Sequence, residues 1–426
     1  MLSWLLVGMY LRLFLLAIYL PLSLILLNGR KQYMEMLLGF VFMLFLSDSR
    51  QDSIHYFAAD AKEIYILMLA VLLIVNTASF KPFNGFFSRY IPFFIVAIIC
   101  MFNSPPENLY TCIERTTSYI LLLFAVPNFV QRAHLDHGRN FYKALIYLCL
   151  TILLAGFIFR FIDPTLVIME DRYQGLFGNP NGLGIFSLLF FFLLTVSLEM
   201  YPDLLEKREK MLIYAAIILS IIMSGSRGSL FSLIIFFVFS LIYKKSPFLG
   251  TIVAVIVIAS YGYISEHLIQ VINFFGLGDY FRVYTLEQGS GRFVAWDFSW
   301  KHIQESYWFG RGFQYTEYLF DIPENVIYLQ ALGHQGNAHN SYITLWLDTG
   351  LIGLITYVMA LLASVFKATR KTRLAFPIIF AAIFSSFFES WLTASLNPFT
   401  IMLFITLSII STDVIIPEKT AIAVPV

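Results

Sequence analysis

A histidine and two arginines, spaced far apart along a very apolar chain, are the residues whose types could do chemistry. His339 and Asn340 stand where a polar, glycine-broken stretch, GHQGNA at 333–338, runs into the apolar sequence SYITLWLDTGLIG. Arg227 sits in SGSRGSL, between two apolar runs, and Arg292 sits in SGRFVAW after a small, flexible lead-in. Imidazoles titrate near working pH and can take a proton from a hydroxyl. Guanidiniums stay ionised and match phosphate oxygens in a bidentate fork. An arginine in a small-residue turn at a helix start can hold an anion through fixed donors. Each piece also has a plain reading: a helix-capping histidine, an arginine snorkelling at an interfacial turn, an arginine on a loop surface.

Four further polar positions belong with these as secondary candidates. Arg172 opens RYQGLFGNPNGLG, a turn-rich lip ahead of another apolar run. Asn340 adjoins the histidine, and Arg311 lies in WFGRG at 308–312. Glu389 ends an apolar segment and reads either as a counter-charge to one of the arginines or as a solvated helix-end carboxylate. Asp348 is set apart. Asn340, Thr344 and Asp348 fall at i, i+4 and i+8, one polar stripe on a helix, and the helical rise puts Asp348 about 12–14 Å below His339. That is too far to orient the imidazole, so Asp348 is expected to pair inside the bundle as a structural group.

The elements that must position these residues are membrane helices. Of 426 residues, 59% are hydrophobic and only 13% charged, about half the charge of a soluble domain. Apolar runs recur at 2–27, 34–47, 61–80, 87–102, 114–131, 140–162, 181–200, 210–225, 228–243, 247–265, 340–366, 374–390 and 397–413. This predicts an all-α fold, a polytopic transmembrane bundle forming one integral membrane domain over 1–426. Lys- and Arg-rich loops at 30–31, 81–89, 132–143, 207–210, 244–245 and 367–373 alternate with the rest and mark the cytoplasmic side. If 34–47 does not fully cross, about 12 spans result, with both termini inside. The N-terminus shows no cleavable signal pattern.

The longest outward loop, 266–339, reads as a large periplasmic insertion with two amphipathic helices lying on the membrane surface. One covers Glu266–Phe275. The other starts at a Ser290 or Gly291 cap, with Phe293, Trp296, Trp300 and Ile303 as its apolar stripe. Net charge is +1, which gives no sign of nucleic-acid binding. Cys100 and Cys112 flank one loop and could pair in an oxidising compartment; they and Cys149 read otherwise as buried thiols. No His/Cys pattern has metal-ligand spacing.

In chain order, RYQGLFGNPNGLG, SGSRGSL, SGRFVAW with WFGRG, and AHNSYITLWLDTGLIG resemble the O-antigen ligase and O-antigen polymerase superfamily over roughly residues 170–390. The resemblance implies a polytopic, inverting, metal-independent glycosyltransferase of the bacterial inner membrane, with no cofactor. It implies an undecaprenyl-diphosphate-linked glycan donor, a lipid A-core or growing glycan acceptor, membrane lipids around it, and a periplasm-facing site. Arg227 and Arg292 match the diphosphate-binding positions and His339 the catalytic one; Asp348 stands where many relatives carry Glu. The ligase reading is favoured slightly over the polymerase. A lipid-linked glycan flippase is the alternative of another class, and should show internal repeats and charges along a central cavity. A haem or redox protein is disfavoured, since no histidines pair within spans.

Overall fold

The computed structural model describes residues 1–49, 52–76, 80, 84–245 and 292–411, with isolated positions between 250 and 278. Their regular structure is helical apart from a small hairpin, in which Ile168–Met169 (β1) pairs antiparallel with Arg172–Tyr173 (β2). The all-α reading holds. The run 247–265, the helix expected over Glu266–Phe275 and the Ser290–Gly291 cap lie almost wholly outside the described residues.

Five described helices are long and apolar enough to cross a membrane: Arg12–Gly29, Leu109–His137, Arg139–Ile162, Pro180–Met200 and Ser341–Thr369. The protein is a membrane protein. In chain order the helices are Leu2–Tyr10 (α1), Arg12–Gly29 (α2), Tyr33–Ser47 (α3), Asp52–Val75 (α4), Gly85–Met101 (α5), Leu109–His137 (α6) and Arg139–Ile162 (α7). After the hairpin come Pro180–Met200 (α8), Lys207–Ser224 (α9) and Arg227–Lys245 (α10). Beyond the undescribed stretch lie Arg292–Glu305 (α11), Tyr315–Asp321 (α12), Pro323–Ala331 (α13), Ser341–Thr369 (α14), Ala375–Ser386 (α15) and Pro398–Ser411 (α16).

The run 2–27 is divided rather than continuous. Leu11 leaves helical geometry with φ −134°, ψ 52°, and the chain resumes at Arg12. Arg12 pairs with Asp60 on α4, which places a charge inside an apolar run only beside its counter-charge. The short apolar helices are short because protein surrounds them. Every residue of α16 is buried, and α3 buries most of its 15 residues. A helix apolar on all sides belongs in the middle of a bundle. The three cysteines are free and buried.

The helix carrying the histidine is broken. Within α14, Gly350 takes φ 72°, ψ 179°, a conformation essentially reserved for glycine. The break strips four backbone groups of their helical partners, and residues 307–312 supply replacements. Arg311 N donates to Leu347 O at 3.1 Å, Gly312 N to Asp348 O at 2.7 Å, Leu351 N to Tyr307 O at 2.9 Å and Ile352 N to Trp308 O at 3.3 Å. Irregular backbone at membrane depth is stable only when buried and satisfied in this way. Asp348 is structural, as expected from its depth, but its partners are amides and a hydroxyl. Its carboxylate accepts from Gln314 N (3.1 Å), Thr316 N (2.9 Å) and Thr316 Oγ1 (2.8 Å), so it caps the start of α12.

The segment 292–331 forms its own small core. Ala295, Phe298, Ile303, Tyr315, Leu319 and Phe320 bury together against Ala338 and Leu347. The helix expected from residue 292 onward is present as α11. Phe293 and Trp300 stay 56% and 47% exposed, while Ala295, Phe298, Ser299 and Ile303 are buried. The small Ala295 and Ser299 are on the packed face, where α11 lies against α14.

Gly350→Ala is expected to destabilise the protein by about 3 kcal/mol or more, since its Cβ would enter a glycine-only conformation and stand 2.3 Å from Trp308 O. Thermal unfolding in detergent checks this; an unchanged midpoint would show that the break is not required.

Candidate functional site

Helix starts converge on one place. A cavity of about 120 Å³ is lined by Arg172, Asn181, Arg227, Gly228, Ser229, Arg292 and Glu389, among others. Asn181 is the second residue of α8, Arg227 to Ser229 the first three of α10, and Arg292 the first of α11. Three helix N-termini therefore border the cavity, each with the positive end of its dipole there. Among the described residues, three guanidiniums share it with one carboxylate. The charge and the backbone donors both select for an anion.

The local sequence explains how these ends come so close. Gly225, at φ 58°, ends α9 in the left-handed conformation, and the chain reverses at once into α10. Ser226 N donates to Ser224 Oγ (3.1 Å) inside that reversal. On α8, a Cβ at Gly184 would stand 2.5 Å from Ser226 Cβ, so glycine there lets the hairpin tip lie against the helix. Arg172 reaches across from β2. Its Nε donates to Ser224 O (2.9 Å) and its Nη2 to Asn181 Oδ1 (2.8 Å).

Glu389 joins the arginines to the histidine. Its Oε1 accepts from Asn181 Nδ2 at 2.7 Å and pairs with Arg292 Nη2 at 3.0 Å. Its Oε2 lies 3.3 Å from His339 Nδ1. Burial works to raise the Glu389 pKa. The hydrogen bond and charge of His339, then the Arg292 charge and the Asn181 amide, outweigh it and hold the carboxyl below its ordinary value. An ionised carboxylate only accepts, so Nδ1 carries the proton in this contact and Nε2 is the atom left for chemistry. A Cβ at Gly336 would come within 3.2 Å of His339 Nε2, and glycine leaves that nitrogen uncovered.

His339 itself has φ 45°, left-handed and rare for a non-glycine residue. The strain is held from both sides. His339 N donates to Asn337 Oδ1 (2.9 Å). Asn340 caps α14, accepting from Tyr342 N (2.9 Å) and Ile343 N (3.1 Å), and its own N–H donates to Ser390 Oγ (3.0 Å). Ser341 Oγ donates to Glu389 O at 2.8 Å. Thr344, next on the polar stripe, also bonds Ser390. A second, more open cavity of about 400 Å³ lies over the histidine, lined by Asn181, Arg292, Gln330, His334, Gln335 and His339 together with Gly333. The two cavities share Asn181 and Arg292.

Arg172, Arg227, Arg292, His339 and Glu389 are thus brought together. Arg311 is not: it lies 3.7 Å from Glu305 and over the Tyr315 ring, and lines neither cavity. Asn340 is at the site but buried, and it serves the backbone of α14. Asn181 and Ser390 were missed. Asn181 could have been noticed as a polar residue in the first turn of an otherwise apolar helix, whereas Ser390 gives no sequence signal. Among the described residues no group of three His, Cys, Asp or Glu side chains is placed to hold a metal ion.

The fold and site are those of a membrane protein with an arginine-lined pocket beside a histidine. Residues 212–358 match the family model described as O-Antigen ligase. The match includes Arg227, Arg292 and His339, while Arg172, Asn181 and Glu389 lie outside it. No curated protein matches the chain.

Because the Glu389 pKa is lowered in the fold, its contribution to stability is fully present above the ordinary carboxylate value and is lost as pH falls through the lowered one. Thermal melts should show Glu389→Gln less stable than wild type at neutral pH, with the gap closing on acidification. A gap independent of pH would mean that the folded protein does not hold this carboxylate ionised.

Proposed function

We propose that the protein transfers a glycan from an undecaprenyl-diphosphate-linked donor to a hydroxyl acceptor at the outer face of the bacterial inner membrane. The observation that carries this reading is the single cavity in which three arginines and three helix N-termini meet, tied through Glu389 to His339. A departing lipid diphosphate bears about two negative charges, and fixed cations aimed at it stabilise the charge that develops as it leaves. Arg227 and Arg292 take its oxygens, with Arg172 at the cavity's edge.

The acceptor oxygen attacks the anomeric carbon while the bond from that carbon to the diphosphate oxygen breaks. The electron pair leaves with the lipid diphosphate, and the acceptor proton passes to His339 Nε2. Direct displacement inverts the anomeric centre. Neutralisation by arginine makes the reaction metal-independent. Glu389 holds the imidazole in the required tautomer. His339 and the cluster Lys367, Arg370, Lys371 and Arg373 lie at opposite ends of α14, and a cytoplasmic position for that cluster puts the site in the periplasm. The segment around 292–339 then belongs to a periplasmic loop covering the site, within a bundle of about 12 spans. We read the acceptor as lipid A-core, the ligase case, in slight preference to the polymerase; the matched family model supports glycan transfer of either type.

With purified protein, lipid-linked donor and acceptor, Arg227→Ala and Arg292→Ala are each expected to slow transfer about 100- to 1,000-fold, and His339→Ala about 100- to 10,000-fold. Transfer should continue in EDTA. Full activity in all three variants would overturn the assignment, and a strict requirement for Mg²⁺ or Mn²⁺ would overturn the metal-free chemistry. In a deletion strain, loss of all attached chains identifies a ligase; chains of one repeat identify a polymerase.

A further inference from the structure

The two cavities at the arginine-lined site share Asn181 and Arg292, and that overlap fixes where each reactant can stand. Direct displacement needs the attacking oxygen, the anomeric carbon and the leaving oxygen in line, with attack from the face opposite the departing group. With the lipid diphosphate among the arginines, the anomeric carbon lies where the cavities overlap. The attacking hydroxyl then comes from the part of the 400 Å³ cavity that the smaller one does not share. Gln330, Gly333, His334, Gln335 and His339 line that part. His339 takes the proton there, and the rest of this wall has no role in the transfer as described above.

The wall is held in shape from behind. Gln330 is in the last turn of α13 and Gln335 in the turn that follows, and both are exposed. Between them His334 is only 3% exposed. Its backbone N donates to Leu329 O (2.9 Å), its Nε2 lies 3.1 Å from Asn337 O, and its ring stands nearly perpendicular to those of Phe320 and His339. Gly333 N donates to Gln330 O at 3.0 Å. Positive φ at Gly333 (80°) and Gly336 (92°) lets the chain turn this sharply. A buried imidazole thus fixes the backbone between two primary amides on the cavity wall.

The lining names the class of group that fits. Among the described residues it holds no carboxylate and no apolar side chain, so a lipid tail finds no partner there. A carboxamide carries a donor and an acceptor side by side and meets a hydroxyl in either role. Two of them suit a ring with hydroxyls on neighbouring carbons.

We propose that Gln330 and Gln335 bind the acceptor sugar through the hydroxyls that flank the attacking one, and so select the acceptor. The assignment rests on the transferase reading and specifies the acceptor side of its site.

Initial rates with the purified full-length protein, an undecaprenyl-diphosphate-linked glycan and lipid A-core, each substrate varied in turn, test it. Gln330→Ala and Gln335→Ala should each raise the acceptor KM about three- to tenfold, the loss of one neutral hydrogen bond, and leave the donor KM and kcat near wild type. Gln304→Ala, at an exposed glutamine of α11 that lines neither cavity, should change nothing. A variant whose acceptor KM stays at the wild-type value removes that glutamine from the acceptor site, while the transfer itself stands. A rise in the donor KM instead would put the donor sugar in this part of the cavity and overturn the assignment. An equal rise in Gln304→Ala would overturn it as well. No transfer to lipid A-core by the wild type would overturn the ligase reading and the assignment with it.

Discussion

One carboxylate makes the arginine-lined site possible. Arg172, Arg227 and Arg292 share a small cavity at three helix N-termini, where dipoles add to the positive potential. Arginine cannot relieve this by losing its proton. Glu389 supplies the opposite charge, and it does so with both oxygens: one toward Arg292 and Asn181, the other toward His339. The same group that lets the cations gather also orients the imidazole. The 387–392 segment is correspondingly well fixed to the start of α14: Ser341 Oγ donates to Glu389 O and accepts from Leu392 N, and Asn340 N donates to Ser390 Oγ.

The second constraint is the break at Gly350. A continuous helix from Ser341 to Thr369 would leave residues 307–312 without backbone partners and α12 without its Asp348 cap. Interrupting it converts two carbonyls and two amides of α14 into a docking edge for the outer segment. Gly310 belongs to the same joint, because a Cβ there would stand 2.4 Å from the Asp348 carbonyl carbon. The glycines of WFGRG and of the DTG turn are two halves of one contact.

Much of this was legible in the sequence, because membrane helices announce themselves by apolar length and functional polar residues stand out against them. Arg227, Arg292 and His339 were visible for that reason, and so was the depth that disqualifies Asp348 from orienting the histidine. What could not be read was pairing across distance. Glu389 could be a counter-charge or a solvated helix end, and only the fold chose. Arg311 looked like its fellow arginines, but its neighbourhood is Glu305 and Tyr315. The break in α14 was hidden because glycine is common in membrane helices. The packed face of α11 could not be read from its aromatic stripe, because close helix approach here falls to Ala295 and Ser299.

The small core of residues 295–329 touches the chain beyond it mainly through Ala338 and Leu347, while Leu345, two residues earlier on the same helix, belongs to the large core of the bundle. The boundary between the two apolar clusters therefore crosses α14 between Leu345 and Leu347, and crosses the 292–331 segment between Phe313, which joins the large core, and Tyr315. Substitutions well inside one cluster have no shared neighbours with the other, and their effects on stability should add rather than couple. Substitutions inside the small cluster can therefore change the surface around the histidine without disturbing the packing of the large core.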